Sequence, residues 1–466
     1  MSSSDKASAL PLAQRLRQDP GALGELTAMM LDAARKAGAQ SADAVAVAGD
    51  SVAIDVREGK LETAERSEGI DIGLRVLIGR RQASVSASNV SPRVIAEMAE
   101  RAVAMAREAP EDPWAGLADP GQLARDTDAS MLELHDPADE PGAAELQELA
   151  LRAEAAARDF PGISQVESAS ASHSRRSFHM AATNGFSGGY SRTGNSVVCV
   201  AITGTGGAME RDMAGESRIW RADMPDPESI GRLAAERTVA RAGARRPPTG
   251  AYPVIYDERV SNSLIGHLLG AINGSSVARG SSFLRDAMGQ QVLPAGLDLI
   301  EDPLRPRVSG SRPFDGEGLQ TRRRAIIRDG VLQEWVLDLA SARKLGLEST
   351  ASAARGTGGP PGPSAGNVAL TEGRLSREEL IREMGTGLLI TSMLGSTINP
   401  TTGDYSRGAA GYWVENGQIA WPVNECTIAG NLNDMLRRIT PANDARRHLS
   451  MVVPSLMVEG LTLAGA

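Results

Sequence analysis

The chain has 466 residues, 41% hydrophobic and 23% charged, with 58 acidic against 49 basic side chains and a formal charge of −9. This composition excludes global disorder, and the acidic balance argues against nucleic acid as a general partner. Because single cores stop growing at roughly 250–300 residues, the length implies about two or three domains, and two are expected here.

The opening stretch from Met1 to Pro20 is polar and lacks the apolar core of a signal peptide, so residues 1–22 read as an N-terminal tail of a cytoplasmic protein. From Leu23 to Lys36, apolar residues recur at Leu23, Leu26, Met29, Met30 and Ala33, the spacing of a helix with one buried face, and Gly38 is placed to end it. Strands follow at Ala44–Ala48 and Val52–Val56, a turn at Glu58-Gly59-Lys60, and a strand at Gly69–Ile78, where Ile70, Ile72, Leu74, Val76 and Ile78 alternate strictly. Ser91-Pro92 opens a second helix that stops before Pro110, with the serine as N-cap. Pro110 to Pro141 is dense in Pro, Asp and Gly and reads as an irregular connector.

Helix returns at Ala143–Arg158. Strands are expected at Val166–Ser172, Arg176–Ala182 and Ser196–Thr203, joined by turns at Thr183-Asn184-Gly185 and Gly188-Gly189. A helix over Pro227–Ala242 leads into Arg245-Arg246-Pro247-Pro248-Thr249-Gly250, taken as the domain boundary. The first domain is therefore residues 23–245, an antiparallel β-meander with helices. The second, 246–466, is β-rich and barrel- or sandwich-like with a few helices, so the fold class is α+β. In it, Tyr252–Tyr256 is a strand, Val260–Gly270 a helix, Arg355–Gly366 an exposed Gly/Pro loop, and Arg374–Met384 a helix whose Ser376 and Glu379 form a capping box. Even the Val452–Leu463 run is interrupted by Pro454, Ser455, Glu459 and Gly460, so no membrane span is expected.

Chemistry-bearing patterns are sparse. The two cysteines, Cys199 and Cys426, form no CxxC pattern, which leaves neither a disulfide framework nor a cysteine-rich zinc site and fits a reducing compartment. The five histidines are His135, His173, His179, His267 and His448, and none pair at zinc-helix spacing. His173 and His179 share a strand face but stand about 20 Å apart, too far for one ion, and read as surface or hairpin residues. Gly185-Phe-Ser187-Gly-Gly189 matches G-x-S-x-G, but strand on both sides denies Ser187 a nucleophile elbow. Gly204–Met209 fails the dinucleotide fingerprint, and no Walker motif is present.

Several stretches in order resemble the TldD/PmbA family, and its PmbA (TldE) branch in particular. They include Arg57–Glu62, Gly69–Val76 and Glu111–Ala118 in the first domain, then Arg279–Phe283, Arg312–Gly318, Leu337–Leu339, Ser341–Gly346, Asn399–Gly408 and Thr427–Asn431 in the second. The resemblance implies a peptidase assembled from two related chains. The TldD-type subunit holds zinc through HExxxH on a helix plus a C-terminal cysteine, its glutamate serving as base. The corresponding helix here reads Leu264-Ile-Gly-His267-Leu-Leu-Gly-Ala-Ile-Asn273, with Leu268 in place of the glutamate and Ile272 in place of the second histidine. Cys426 precedes the Thr427–Asn431 stretch, whereas the family's ligand cysteine follows it.

The resemblance therefore implies a chain with no catalytic residue, metal or cofactor of its own, zinc lying in a TldD-type partner of a heterodimer, with a homodimer as fallback. The complex would degrade or process unfolded or modified peptides, as in antitoxin degradation and microcin-type maturation. A self-standing hydrolase or peptide-binding module is the alternative, distinguished by zinc content and activity of the lone chain. Candidates for gripping a peptide are His267, Arg279 and Ser281, and Asp404, Tyr405, Ser406 and Arg407 of the TGDYSRG loop. A purely structural role, in which Asp404 pairs with Arg407 to shape a turn, is the competing reading.

Overall fold

A computed structural model describes residues 20–465; expectations for the tail over residues 1–19, including the absent signal peptide, lie outside the described residues. The chain begins with helix α1 (Pro20–Ala37), three residues before the expected start, and Gly38 ends it at φ +98°, a conformation that glycine adopts without cost. Strands β1 (Ser41–Arg57), β2 (Lys60–Ile78) and β3 (Arg81–Ala87), helices α2 (Pro92–Glu108) and α3 (Ala143–Arg158), strands β4 (Ile163–Ala182), β5 (Ser187–Thr203) and β6 (Glu210–Arg218), and helix α4 (Pro227–Val239) follow. Ser91 takes the N-cap position of α2 without a side-chain hydrogen bond.

The six strands form one antiparallel sheet in the order β3-β2-β1-β4-β5-β6. The β1–β2 turn has Glu58 at φ 52° and Gly59 at φ 72°, the paired positive values of a hairpin that follows the sheet's twist. The expected turn at Thr183–Gly185 is present, but where three short strands were expected only two long ones form, with no turn at Gly188-Gly189. Gly188 and Gly189 lie inside β5, opposite Met180 and His179. A Cβ on Gly189 would lie 2.5 Å from the Phe178 carbonyl oxygen, so this glycine serves close approach rather than a turn.

Period-two alternation splits the sheet into two apolar faces. Ala44, Ala46 and Ala48 of β1 pack under α1 and α2, and Ile54 and Val56 pack under α3 and α4. Val45 points the other way and meets Met180, Phe186 and Phe314, the last from the second half of the chain.

That half contains β7 (Gly250–Tyr256), α5 (Glu258–Ala271), α6 (Gly274–Ala278), β8 (Leu299–Glu301), β9 (Arg324–Arg328), β10 (Val331–Leu332), α7 (Leu339–Leu345), β11 (Ala353–Ala354) and β12 (Gly362–Pro363). It continues through β13 (Val368–Leu370), α8 (Arg377–Met384), β14 (Gly387–Ile398), β15 (Asp404–Glu415), β16 (Gln418–Asn431), α9 (Leu432–Leu436), β17 (Ile439–Pro441), β18 (Met451–Val452) and β19 (Leu456–Ala464). Strands β16, β15, β14, β7 and β19 pair in that order, and β19 pairs back onto β16, closing a five-stranded barrel, with the short β17 added on β19. Ser376 and Glu379 form the expected capping box of α8. The α+β class and the β-rich second half are thus as read from the sequence. No described helix is long and apolar enough to cross a membrane.

The Arg355–Gly366 loop departs from expectation. The Arg355 side chain is fully buried and pairs with Asp43 of β1, and a Cβ on Gly73 would lie 2.3 Å from the Thr357 carbonyl oxygen. Gly/Pro content marks irregular backbone; Gly356, Gly358 and Pro360 are exposed as expected, but the loop is anchored on the sheet through Arg355 and Thr357. The connector likewise straps the halves together, Ala124 N–H donating to the Gly318 carbonyl and Arg343 to those of Trp114 and Leu117.

Candidate functional site

Helix α5 starts at Asp257, whose carboxylate accepts from the Arg259 backbone N–H, and buries Leu264, Ile265 and Leu268 in the barrel core. Two polar side chains join that face, the fully buried Ser261 and the half-buried His267. The imidazole stands edge-on to the Tyr405 ring of β15, centroids 5.9 Å apart, and its Nε2 is buried with no hydrogen-bond partner among the described residues. Burial, and then the nearby Arg407 cation, hold this histidine below its ordinary value, so it is neutral at pH 7. The Tyr256 hydroxyl donates to the Tyr405 hydroxyl at 3.4 Å, which in turn donates to the Met393 sulfur. Burial pushes both phenols up. Arg407 donates through Nε to the Gly395 carbonyl at 2.8 Å.

The structure thus brings His267, Tyr405 and Arg407 together at the barrel. Tyr256 and Tyr405 are 0% and 2% exposed and His267 Nε2 is buried, so of these groups only the half-buried Arg407 is open to a peptide main chain, and the group holds no carboxylate base and no activated nucleophile. The remaining candidates lie near by without joining them. Asp404 is exposed and accepts from Thr402 and Asn431, so the anticipated pairing with Arg407 does not form: three positions apart on a strand, the two side chains point to opposite faces. Ser406 is half-buried, Arg279 is exposed past the end of α6, and the Ser281 hydroxyl donates to the Ser276 carbonyl at 3.4 Å. The Phe283 N–H donates to the Pro400 carbonyl, which joins the Arg279–Phe283 segment to the TGDYSRG loop.

Leu268 and Ile272 are both 0% exposed, packed in the core. Cys426 faces Ala409 across the β15–β16 ladder, its thiol donating to the Ala409 carbonyl and pushed up to about 11 by burial. Among the described residues no three His, Cys, Asp or Glu side chains are grouped so as to hold a metal ion.

Two arrangements escaped the sequence reading. His173 and His179 are buried rather than superficial, because the β4 ladder carries them beneath neighbouring elements; His173 Nδ1 bonds the Asn195 side chain at 2.9 Å. His179 Nδ1 meets the Thr27 hydroxyl at 2.9 Å, and its Nε2 lies 3.4 Å from the Ser187 hydroxyl. Ser187 nevertheless follows a turn and opens a strand, so the elbow geometry of a serine hydrolase is absent. The second arrangement is a cavity of about 840 Å³ between the sheet face and the second half of the chain, which none of the candidates lines.

Comparison with known proteins places these features. Models of the PmbA/TldA metallopeptidase match in order: domain 1 over residues 42–106, the central domain over 136–242 and the C-terminal domain over 249–465. The metalloprotease PmbA of Escherichia coli O157:H7 is 40% identical over 416 residues, covering 89% of this chain and 90% of that protein. A crystal structure from Bacteroides thetaiotaomicron, of a protein proposed as a modulator of DNA gyrase, superposes with a TM-score of 0.87 at 25% identity, over 95% of this chain and 98% of that one. The crystal structure of TldE from Thermococcus kodakarensis has the same fold, with a TM-score of 0.80 at 19% identity over 94% of this chain and 100% of its own. The chain belongs to the PmbA/TldD family of metallopeptidases.

Proposed function

We propose that this chain is the non-catalytic subunit of a cytoplasmic TldD/TldE-type zinc metallopeptidase complex that degrades or processes unfolded or modified peptides. Its partner is a TldD-type chain carrying the zinc, and it pairs with itself when that partner is absent. The observation that carries this reading is helix α5. Zinc catalysis needs three protein ligands and an adjacent base. Here one histidine is present, and Leu268 and Ile272, which stand where the base and the second histidine would be, are sealed in the core. The buried, protonated thiol of Cys426 is already engaged by a carbonyl. These residues do not fit a zinc ion, so peptide-bond cleavage is assigned to the partner, and holding the peptide chain to the half-buried Arg407 that stands beside the buried His267 and Tyr405.

Co-expression with a TldD-type protein, followed by sizing, mass measurement, zinc analysis and peptidase assay, tests this. A one-to-one complex with zinc and activity is expected, with neither in the lone chain. A permanent interface of this sort should bury on the order of 2,000 Å² and survive dilution. One tightly bound zinc in the lone chain, lost on His267→Ala, or a chain that ignores every such partner, would overturn it.

A further inference from the structure

The cavity between the sheet and the second half of the chain is built on an unusual pair. In the β4–β5 ladder Arg176 stands directly opposite Arg192 on the same sheet face. Opposed cross-strand side chains lie within about 5.5 Å at Cβ, and like charges in that position destabilise a sheet. Arg312 approaches from the other wall, and burial together with the Arg312 and Arg176 cations disfavours the charged form of Arg192.

The other arginines lining the cavity are compensated: Arg218 by Glu216, Arg307 by Glu133 and Asp223, and Arg355 by Asp43. Arg176, Arg192 and Arg312 have no ion pair among the described residues. Arg192 donates to the Ser311 carbonyl and Arg312 to those of Ala353 and Ser364, leaving Nε of each buried without a partner. The acidic lining residues do not supply one: Asp71 is exposed, and the Asp315 carboxylate accepts from the backbone N–H groups of Glu317, Leu319 and Ala353. Beside the arginines, Phe178, Tyr190 and Phe314 form a mutually packed aromatic wall.

We propose that this interdomain cavity binds the carboxylate groups of an acidic peptide segment, with Arg176 and Arg192 gripping them jointly and the aromatic wall taking adjacent apolar side chains. Guanidinium forks match carboxylates bidentately, and an anion between the two strands relieves the repulsion that the bare pair carries. The mixture of cationic and aromatic lining suits a peptide better than a bare inorganic anion, and the volume falls in the range of roughly 300–1,000 Å³ usual for ligand sites. This inference rests on the peptide-handling reading, but its test needs no partner subunit.

The full chain alone is titrated against fluorescently labelled short peptides, read by anisotropy. The peptides are an acidic peptide with amidated C-terminus, its Asn/Gln counterpart, and that neutral counterpart with a free C-terminal carboxylate. The acidic peptide should bind at least about tenfold more tightly than the neutral amide, as two charge-assisted contacts require, and weaken with added salt. Tight binding of the neutral free acid would instead identify the chain terminus as the source of the carboxylate, and supports the site equally. Arg176→Glu, at an exposed position, sets a carboxylate opposite Arg192 in place of the like charge, so it should abolish the preference without lowering the melting temperature. Arg192→Gln, which also loses its tie to Ser311, should do the same with a lower melting temperature. Equal binding of all three peptides, binding unaffected by Arg176→Glu, or tighter binding of a single-stranded oligonucleotide of equal charge would overturn the proposal. An inactive co-expressed complex beside intact acidic-peptide binding would count against the subunit role alone.

Discussion

Replacing Asp43 by alanine tests how the two halves of the molecule are joined. Asp43 lies on β1, with its carboxylate between Arg75 of β2 and Arg355 of the docked loop. The Arg75 and Arg355 side chains are 6% and 0% exposed, so without Asp43 two guanidinium groups remain buried with no ion-pair partner among the described residues. Breaking a buried pair by removing one partner costs about 3–5 kcal/mol, and the second stranded arginine places this case at the upper end. The loss should appear in denaturant unfolding as a lower midpoint and in limited proteolysis as cleavage within Arg355–Gly366.

Asp43→Asn, which keeps an acceptor but no charge, should lose less. Burial raises the Asp43 carboxyl, but Arg75 and Arg355 outweigh it and hold the group below its ordinary value of 3.8. A depressed folded value means that the contribution is present above that pH and lost as pH falls below it, so wild type and Asp43→Ala should converge in acid. A destabilisation under about 1 kcal/mol at pH 7, of the size seen for surface pairs, would refute the reasoning.

Three further outcomes are expected. Burial first, then Asp315 and Asp338, pushes the Glu317 carboxyl well above its ordinary 4.5, so its favourable contribution holds below that pH and is lost as pH rises; Glu317→Gln, whose carbonyl can still accept from the Leu339 N–H, should stabilise the chain by on the order of 1 kcal/mol at pH 8 in thermal melts, and a destabilised variant would count against it. Writing the missing motif into α5 with Leu268→Glu and Ile272→His places polar groups at core positions of 0% exposure, so unfolding at a cost of several kcal/mol is expected, and a folded variant with stoichiometric zinc would be the contrary result. Ser187→Ala should leave turnover of a reconstituted complex unchanged and cost under about 1 kcal/mol, since it removes one long hydrogen bond to His179; a large loss of turnover in the folded protein would reopen the serine-hydrolase reading.

The sequence by itself determined what depends on neighbours along the chain. The amphipathic spacing of α1, in which Leu23, Leu26 and Met30 are buried but Met29 is exposed, the alternation in β2, the turn at Glu58-Gly59 and the capping box of α8 are local patterns. The order of family motifs identified the chain's relatives, and the inventory of helix α5 was on view in Leu264–Asn273. Tertiary structure decided the rest. Whether Gly188-Gly189 turns or runs straight depends on the strand pressed against it, and whether Arg355–Gly366 is free depends on Asp43 and Gly73, roughly 300 residues earlier and brought near only by docking. Barrel closure depends on β19 finding both β7 and β16. The arginine-lined cavity was illegible for the same reason: Arg176, Arg192 and Arg312 are ordinary surface residues in a linear reading, and strand register and packing at Phe314 make them neighbours.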